Sequence, residues 1–271
     1  MDETKKRKAS SSTALPSKKN KKQRFSKKQQ FIEPGDIGIW ATCARGKEGK
    51  STIDLRDLFD TYASRIYPET AEVEGDESQD DIEASISAEV SAIKSKPEDT
   101  NSLFLPIKLD TPCVLFFKTQ APIEPVAFVT KICQDKAAGA ALGGCRFVKR
   151  LSPMMRMEKA TEEGLETACQ AVLTEATLGS RDSGIKFAIR PTFRDHNVLK
   201  RDALIKQVAR AVGDGYAVDL KKPDKVILVD VYRGVLGIAV VGSEYLDLKS
   251  FNLAEIPPAG GSSPGPRTSS E

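Results

Sequence analysis

The chain has 271 residues, of which 39% are hydrophobic and 29% charged, a composition typical of a globular protein with one large or two small domains. Its net charge of +3 conceals 11 basic against 2 acidic residues in positions 1–30, and 11 acidic against 2 basic residues in positions 69–99. Five scattered cysteines with a single histidine argue against a metal site, and no apolar run is long enough to span a bilayer. We therefore expect a soluble intracellular protein from a reducing compartment.

Residues 1–34 form a lysine-rich tail without hydrophobic periodicity. Such a segment buries too little apolar surface to offset the entropy of ordering, so we expect it to be disordered. Its two basic runs favour a nuclear import signal and are compatible with RNA contact; a purely solubilising tail is the alternative. We expect a nuclear and nucleolar location and leave a cytoplasmic pool open.

The first half of the ordered region alternates between strand and helix patterns. Short apolar runs bounded by turn residues predict strands, and apolar residues spaced three and four apart predict helices. In chain order, these patterns predict a strand at 37–42, helices at 55–66 and 82–93, strands at 104–109 and 114–118, and a helix at 125–134. This order resembles a ferredoxin-like domain, which we assign to residues 35–136 with an acidic insertion near 69–81.

The second half, residues 137–256, predicts another mixed domain. Its elements are a strand at 146–151, a helix at 165–172, a strand at 186–190, a helix at 204–212 ended by Gly213, and paired strands at 226–231 and 235–241. Residues 257–271 are rich in proline, glycine and serine, and we expect a disordered tail. The predicted fold class is therefore α/β (α+β) with two domains between two tails.

The strongest enzyme motif lies at residues 44–51, ARGKEGKS. It follows a predicted strand and matches the phosphate-binding loop GxxxxGK[ST] except at its first position, where Ala44 replaces glycine. The Cβ of Ala44 disfavours the left-handed backbone angles that such a loop uses to wrap phosphate. Asp230 also follows an apolar strand, as a magnesium-binding aspartate does. A nucleotide-binding NTPase is therefore the alternative function.

Other catalytic chemistry has no support in the residue pattern. The single histidine, His196, has no serine, cysteine or carboxylate at a spacing that specifies a triad or an acid–base pair. The stretch around it is instead rich in cations and suits phosphate oxygens and exposed bases; it includes Arg190, Phe193, Arg194, Lys200 and Arg201. We expect residues 190–197 to form a loop that leads into a helix.

A second basic cluster, Arg146, Lys149 and Arg150, lies on the strand predicted at 146–151. Strand alternation places Lys149 on the face opposite to Arg146 and Arg150. Either cluster could be ordinary charged surface, since exposed charge is common in soluble proteins. The residues by themselves leave that alternative open.

Motifs from both halves resemble those of one known family. They are DIEASI at 81–86, RFVKRLSP at 146–153, FAI at 187–189, RDALI at 201–205, VDL at 218–220 and FNL at 251–253. In this order they are similar to the THUMP-domain adaptor proteins of tRNA cytidine acetylation, across roughly residues 35–256. The resemblance implies a THUMP RNA-binding domain at 137–256.

The resemblance also implies a role without catalytic residues, metal or cofactor. The THUMP domain would bind the acceptor end of a tRNA while the ferredoxin-like domain helps to orient it. The partner would be an RNA cytidine acetyltransferase that uses acetyl-CoA and ATP to form N4-acetylcytidine in the D-arm of serine and leucine tRNAs. The adaptor would contribute affinity and position.

The same resemblance singles out candidate RNA-binding residues. Arg146, Arg150, Arg194 and Arg201 match basic positions of the family pattern. Lys200 and Phe193 are secondary candidates because of their position and chemistry. We expect these six side chains to contact RNA.

Overall fold

The computed structural model describes residues 31–68 and 102–257. Within these ranges the protein is a mixed α/β structure with two sheets, which confirms the predicted fold class. The helix predicted at 82–93, the acidic insertion and most of both predicted tails lie outside the described residues.

The first sheet has the topology of a ferredoxin-like unit. Its elements are β1 (Gly38–Cys43), α1 (Glu48–Ile66), β2 (Phe104–Ile107), β3 (Val114–Thr119), α2 (Pro125–Ala137) and β4 (Val148–Met154). The strands pair antiparallel in the order β2-β3-β1-β4, as the sequence of strands and helices in this motif requires. Five of these six elements follow the sequence prediction within a few residues at each end, and α1 begins seven residues earlier than predicted.

Aromatic side chains pack one face of this sheet against its two helices. The ring of Phe59, on α1, lies 5.0 Å from Phe104, 5.2 Å from Phe117 and 5.6 Å from Phe128, centroid to centroid. All four side chains are buried. Because side chains alternate along a strand, Trp40 on β1 points to the opposite face.

The second sheet follows with four further helices. Its elements are β5 (Arg156–Lys159), α3 (Glu162–Val172), α4 (Glu175–Leu178), β6 (Lys186–Arg194), α5 (Arg201–Val212), β7 (Ala217–Val218), β8 (Lys225–Tyr232), β9 (Val235–Gly242) and α6 (Glu244–Asp247). The strand order is β5-β9-β8-β6-β7. β8 and β9 form the predicted antiparallel hairpin, and β6 runs parallel to β8.

Alternation divides the second sheet into two apolar faces. Ile227 and Val229 on β8 pack in the core formed with Leu165 of α3 and Leu204 of α5. Their even-numbered neighbours, such as Leu228, belong to the core that is shared with the first sheet. The two sheets therefore pack together through one face of each.

β6 extends four residues beyond the strand predicted at 186–190, so the predicted loop is wrong at 191–194. β6 continues through Arg194 and pairs with β8 from Phe187 to Arg194. β7 pairs only with Lys186 and Phe187, so β6 is an edge strand at Pro191. Edge strands tolerate proline because one side of the backbone needs no donor.

The strand predicted at 146–151 begins two residues later, after a 3-10 turn at Cys145–Phe147. The sequence prediction assigns this strand to the second domain, whereas the structure pairs it with β1, so that β4 completes the first sheet. Only Met155 separates β4 from β5, the first strand of the second sheet. The two sheets are therefore joined by an almost continuous strand.

The cysteines are free thiols, and four of the five are buried. Burial raises the pKa of Cys133 and of Cys169 to about 12, as expected for thiols that pack as small apolar groups. None of the helices in residues 31–68 and 102–257 has both the length and the hydrophobicity needed to cross a bilayer.

Candidate nucleic-acid interface

A cavity of about 40 Å³ lies between the two sheets. The first unit lines it with Trp40, Thr42, Val114, Arg150 and Ser152, and the second with Thr192, Arg194, Asp230, Val231 and Tyr232. This volume exceeds the roughly 10–15 Å³ that one water molecule needs. We call this cavity and its rim the inter-sheet cleft.

Strand alternation explains why polar residues meet at the inter-sheet cleft. On β4, Arg150 and Ser152 are two residues apart and share a face. On β6, Thr192 and Arg194 share a face in the same way, and Thr192 is the register partner of Asp230. Each sheet therefore contributes one arginine to the cleft.

Aromatic contacts fix the spacing of the two sheets at this point. The ring of Trp40 lies 4.7 Å from Phe116 of its own sheet and 5.1 Å from Tyr232 of the other sheet. Trp40 and Tyr232 are both buried. The backbone amide of Arg150 donates a hydrogen bond to the Thr42 hydroxyl at 3.1 Å, which anchors this part of β4 to β1.

Two buried side-chain N–H groups at the inter-sheet cleft lack an acceptor among the described residues. They are Nε1 of Trp40 and Nε of Arg150. Buried N–H groups are almost always paired in folded proteins, so each is available to an oxygen of a ligand or of water. With the exposed guanidinium of Arg194, they make the cleft a donor-rich site that suits an anion.

Asp230 is the acidic group of the inter-sheet cleft. Asp230 is half-buried, and the desolvation of its carboxyl group raises its pKa; hydrogen bonds with the hydroxyls of Thr192 and Ser152, and then the charges of Arg194 and Arg150, oppose the rise. The folded protein therefore holds a proton on Asp230 more readily than the unfolded chain does. As pH rises from the ordinary value of 3.8 through the folded pKa, Asp230 costs the fold stability.

Asp230→Asn should therefore stabilise the fold relative to the parent, and more so at neutral pH than near pH 4. The amide carries no charge that burial can penalise, so the substitution removes the pH-dependent cost. Denaturant unfolding of both proteins across pH 4–8 would give the difference in the free energy of unfolding at each pH. A difference that is constant over this range would show that the Asp230 pKa is not raised.

The remaining predicted residues occupy separate positions. Arg201 is the first residue of α5, and its Nη1 donates to the carbonyl oxygen of Pro191 at 3.0 Å. Lys200 is exposed, and its Nζ donates to the carbonyl oxygen of Asn197 at 3.3 Å. Both residues lie beside β6, the strand that carries Arg194.

Phe193 and Arg146 lie away from the arginine pair. Phe193 is half-buried on the other face of β6, where it packs against the core under α3 and α5. The guanidinium of Arg146 lies over the ring of Phe147, 4.5 Å from its centroid. The structure thus brings Arg150 and Arg194 together, and RNA contact by all six residues stays a prediction.

His196 has a structural role. Its Nε2 accepts the amide hydrogen of Leu199 at 2.7 Å, and its Nδ1 lies 2.5 Å from the carbonyl oxygen of Arg233. An amide only donates and a carbonyl only accepts, so Nδ1 carries the proton of a neutral ring. Both nitrogens are therefore used in holding the β6–α5 loop against the β8–β9 turn.

The segment 44–51 has features that count against the nucleotide-binding alternative, which stays a prediction. β1, which precedes the segment, pairs antiparallel with both of its neighbours, whereas a phosphate-binding loop follows a strand of a parallel sheet. Ser51, whose hydroxyl would reach magnesium, is fully buried.

Several residues of the inter-sheet cleft are absent from the sequence prediction. Trp40, Ser152 and Thr192 are not among the predicted RNA-binding residues, and they become relevant only because two faces oppose each other. The alternation of β6 was the available signal, but the loop prediction at 190–197 concealed it.

Comparison with known proteins gives concordant matches. The model of the THUMP domain matches residues 159–241. An uncharacterized protein of Schizosaccharomyces pombe is 33% identical over 235 residues, which are 86% of this chain and 79% of the relative. The tRNA acetyltransferase TAN1 of Saccharomyces cerevisiae is 30% identical over 262 residues, covering 87% of this chain and 89% of that protein. The crystal structure of PH1313 from Pyrococcus horikoshii covers 75% of this chain and 54% of its own, with 11% identity and a TM-score of 0.43.

Proposed function

Because the chain belongs to the family of THUMP-domain proteins that includes tRNA acetyltransferase TAN1 of Saccharomyces cerevisiae, we propose that it is a tRNA-binding adaptor for tRNA acetylation. The reaction it serves is the formation of N4-acetylcytidine in the D-arm. The enzyme is a separate RNA cytidine acetyltransferase, which brings acetyl-CoA and ATP. Serine and leucine tRNAs are the proposed substrates.

The inter-sheet cleft is the observation that carries this proposal. Arg150 and Arg194 converge there from different sheets, beside the unpartnered donor of Trp40. Guanidinium groups bind phosphate oxygens with two parallel hydrogen bonds, and unpaired nucleotides expose their bases for further contacts. These properties favour the single-stranded 3′ end of a tRNA as the ligand of the cleft.

An adaptor acts by binding and orientation. Holding the tRNA in one pose converts an encounter between large molecules into a step within a complex, which is the proximity part of catalysis. The engagement of both His196 nitrogens with backbone groups supports a role without acid–base chemistry. We further propose that residues 1–34 direct the protein to the nucleus and nucleolus.

A reconstituted reaction tests the adaptor function. Each reaction contains acetyl-CoA, ATP and a serine tRNA. This protein by itself should form no acetylcytidine, and the acetyltransferase by itself should form it slowly. The two proteins together should form it fast. The increase in the acetylation rate should appear mainly at low tRNA concentration, where the affinity for tRNA limits the rate. Acetylcytidine is counted by mass spectrometry of digested tRNA.

An ATPase assay on the same pure protein tests the alternative function, a nucleotide-binding NTPase. Turnover of ATP by the pure protein that disappears on Lys50→Ala would replace the adaptor with an NTPase. Acetylation that is equally fast with and without this protein would also reject the adaptor role.

A further inference from the structure

Three cations surround one aromatic ring at the end of the first sheet. Nζ of Lys47 lies 5.4 Å from the centroid of Phe147, Nζ of Lys50 5.7 Å, and the guanidinium carbon of Arg146 4.5 Å. We call these four residues the Phe147 cluster. The two lysines come from the motif at 44–51, which the proposed function leaves without a role.

Hydrogen bonds hold the Phe147 cluster in place. The carbonyl oxygen of Phe147 accepts the amide of Ala44 at 2.9 Å, which ties the loop before α1 to the turn before β4. On the other side of the loop, Glu48 Oε1 accepts the amide of Cys113 at 2.9 Å. The cations are therefore presented by a loop that is bonded to two neighbouring segments.

Among the residues that the structure describes, no carboxylate forms an ion pair with the Phe147 cluster. Within residues 31–68 and 102–257, Lys47, Lys50 and Arg146 form no ion pair, although six ion pairs occur elsewhere in these ranges. All three side chains are exposed. Like charges gathered around one ring repel each other, and a polyanion that binds there would relieve this repulsion.

We propose that the Phe147 cluster binds the phosphate backbone of RNA as a second contact point, separate from the inter-sheet cleft. The proposal rests on the proposed function, because it takes the ligand of both sites to be the same tRNA. Phe147 directly precedes β4, and Arg150 lies three residues further along. The two sites are therefore close neighbours along the chain, and the proposal is that one RNA contacts both.

The position also gives the motif at 44–51 a role without nucleotide chemistry. A phosphate-binding loop directs its lysine at the phosphates of a nucleotide. Here the corresponding Lys50 is stacked over Phe147 together with Arg146. The lysines of this loop thus present their charges to solvent, where they can contact the phosphate backbone of an RNA rather than an enclosed nucleotide.

The test is the Lys47→Ala/Lys50→Ala double variant of the full chain, titrated with tRNA at several KCl concentrations. Its affinity near physiological salt should fall about tenfold or more. The slope of log affinity against log salt should become shallower by about 1.4–1.8, because each lost phosphate contact removes about 0.7–0.9. The Lys47→Arg/Lys50→Arg variant keeps both charges and should bind as the parent does.

A matched control separates a contact from a general loss of charge. Lys221 and Lys222 are exposed beyond β7, and Lys221→Ala/Lys222→Ala removes the same charge. Equal losses from the two double variants would overturn the proposal, as would parental affinity and salt slope for Lys47→Ala/Lys50→Ala. If Lys47→Ala/Lys50→Ala binds tRNA as the parent does but no longer binds the acetyltransferase, the Phe147 cluster is a contact for that protein instead. If the parent itself does not bind tRNA, the proposed function fails first.

Discussion

Replacing Arg150 and Arg194 together by alanine should weaken tRNA binding about a hundredfold or more at near-physiological salt. The two side chains line one cleft from different sheets, so both should engage the same stretch of RNA. A charge-assisted hydrogen bond contributes about 1.5–3 kcal/mol, and about 1.4 kcal/mol corresponds to a tenfold change in affinity. Titration of labelled tRNA at fixed salt measures the loss.

Lys206→Ala/Arg210→Ala is the matched control for the arginine pair. Both residues are exposed on α5 and lie outside the cleft, and their removal lowers the net charge equally. We expect the control to lose much less tRNA affinity than the arginine variant, because it removes only long-range electrostatic attraction to the RNA. If Arg150→Ala/Arg194→Ala stays folded and binds tRNA as tightly as the parent, the inter-sheet cleft is not the RNA site.

Trp40→Ala should lower the free energy of unfolding by about 3–5 kcal/mol, the range for truncating a buried tryptophan. The indole is buried and contacts rings of both sheets, Phe116 at 4.7 Å and Tyr232 at 5.1 Å. Its loss therefore leaves a void where the sheets meet. Denaturant unfolding monitored by far-UV circular dichroism measures the change.

Trp40→Phe separates packing from hydrogen bonding at the same position. Phenylalanine keeps much of the aromatic contact and lacks Nε1–H, which has no protein acceptor among the described residues. We expect a loss of stability clearly smaller than that of the alanine variant. Losses below about 1 kcal/mol for both variants would mean that this contact does not hold the sheets together.

The sequence predicted most elements because their hydrophobic periods are long and uninterrupted. The β8–β9 hairpin was predicted from two apolar runs around Tyr232, Arg233 and Gly234, and α5 from one apolar stripe that ends at Gly213. β5 and β7 have only four and two residues. β7 is too short to show alternation, and β5 has three charged residues among its four, so neither contains an apolar run.

The candidate site was less predictable than the elements that carry it. Arg150 and Arg194 could each be selected by resemblance, but their meeting depends on which faces of two sheets oppose each other. The last residues of β6, with the alternation that separates Arg194 from Phe193, lie in the segment predicted as a loop. Their pairing with β8 is long-range and comes only from the tertiary structure.

The pairing of β1 with β4 also bears on how the chain folds during synthesis. Gly38 pairs with Met154, so the central strand of the first sheet emerges from the ribosome long before its last partner. Until residue 154 has been made, one edge of β1 is unpaired and can associate with another chain. Pairings so distant in sequence also slow folding, because a large loop must close before they form. The nascent chain should therefore need chaperone protection until β4 has docked.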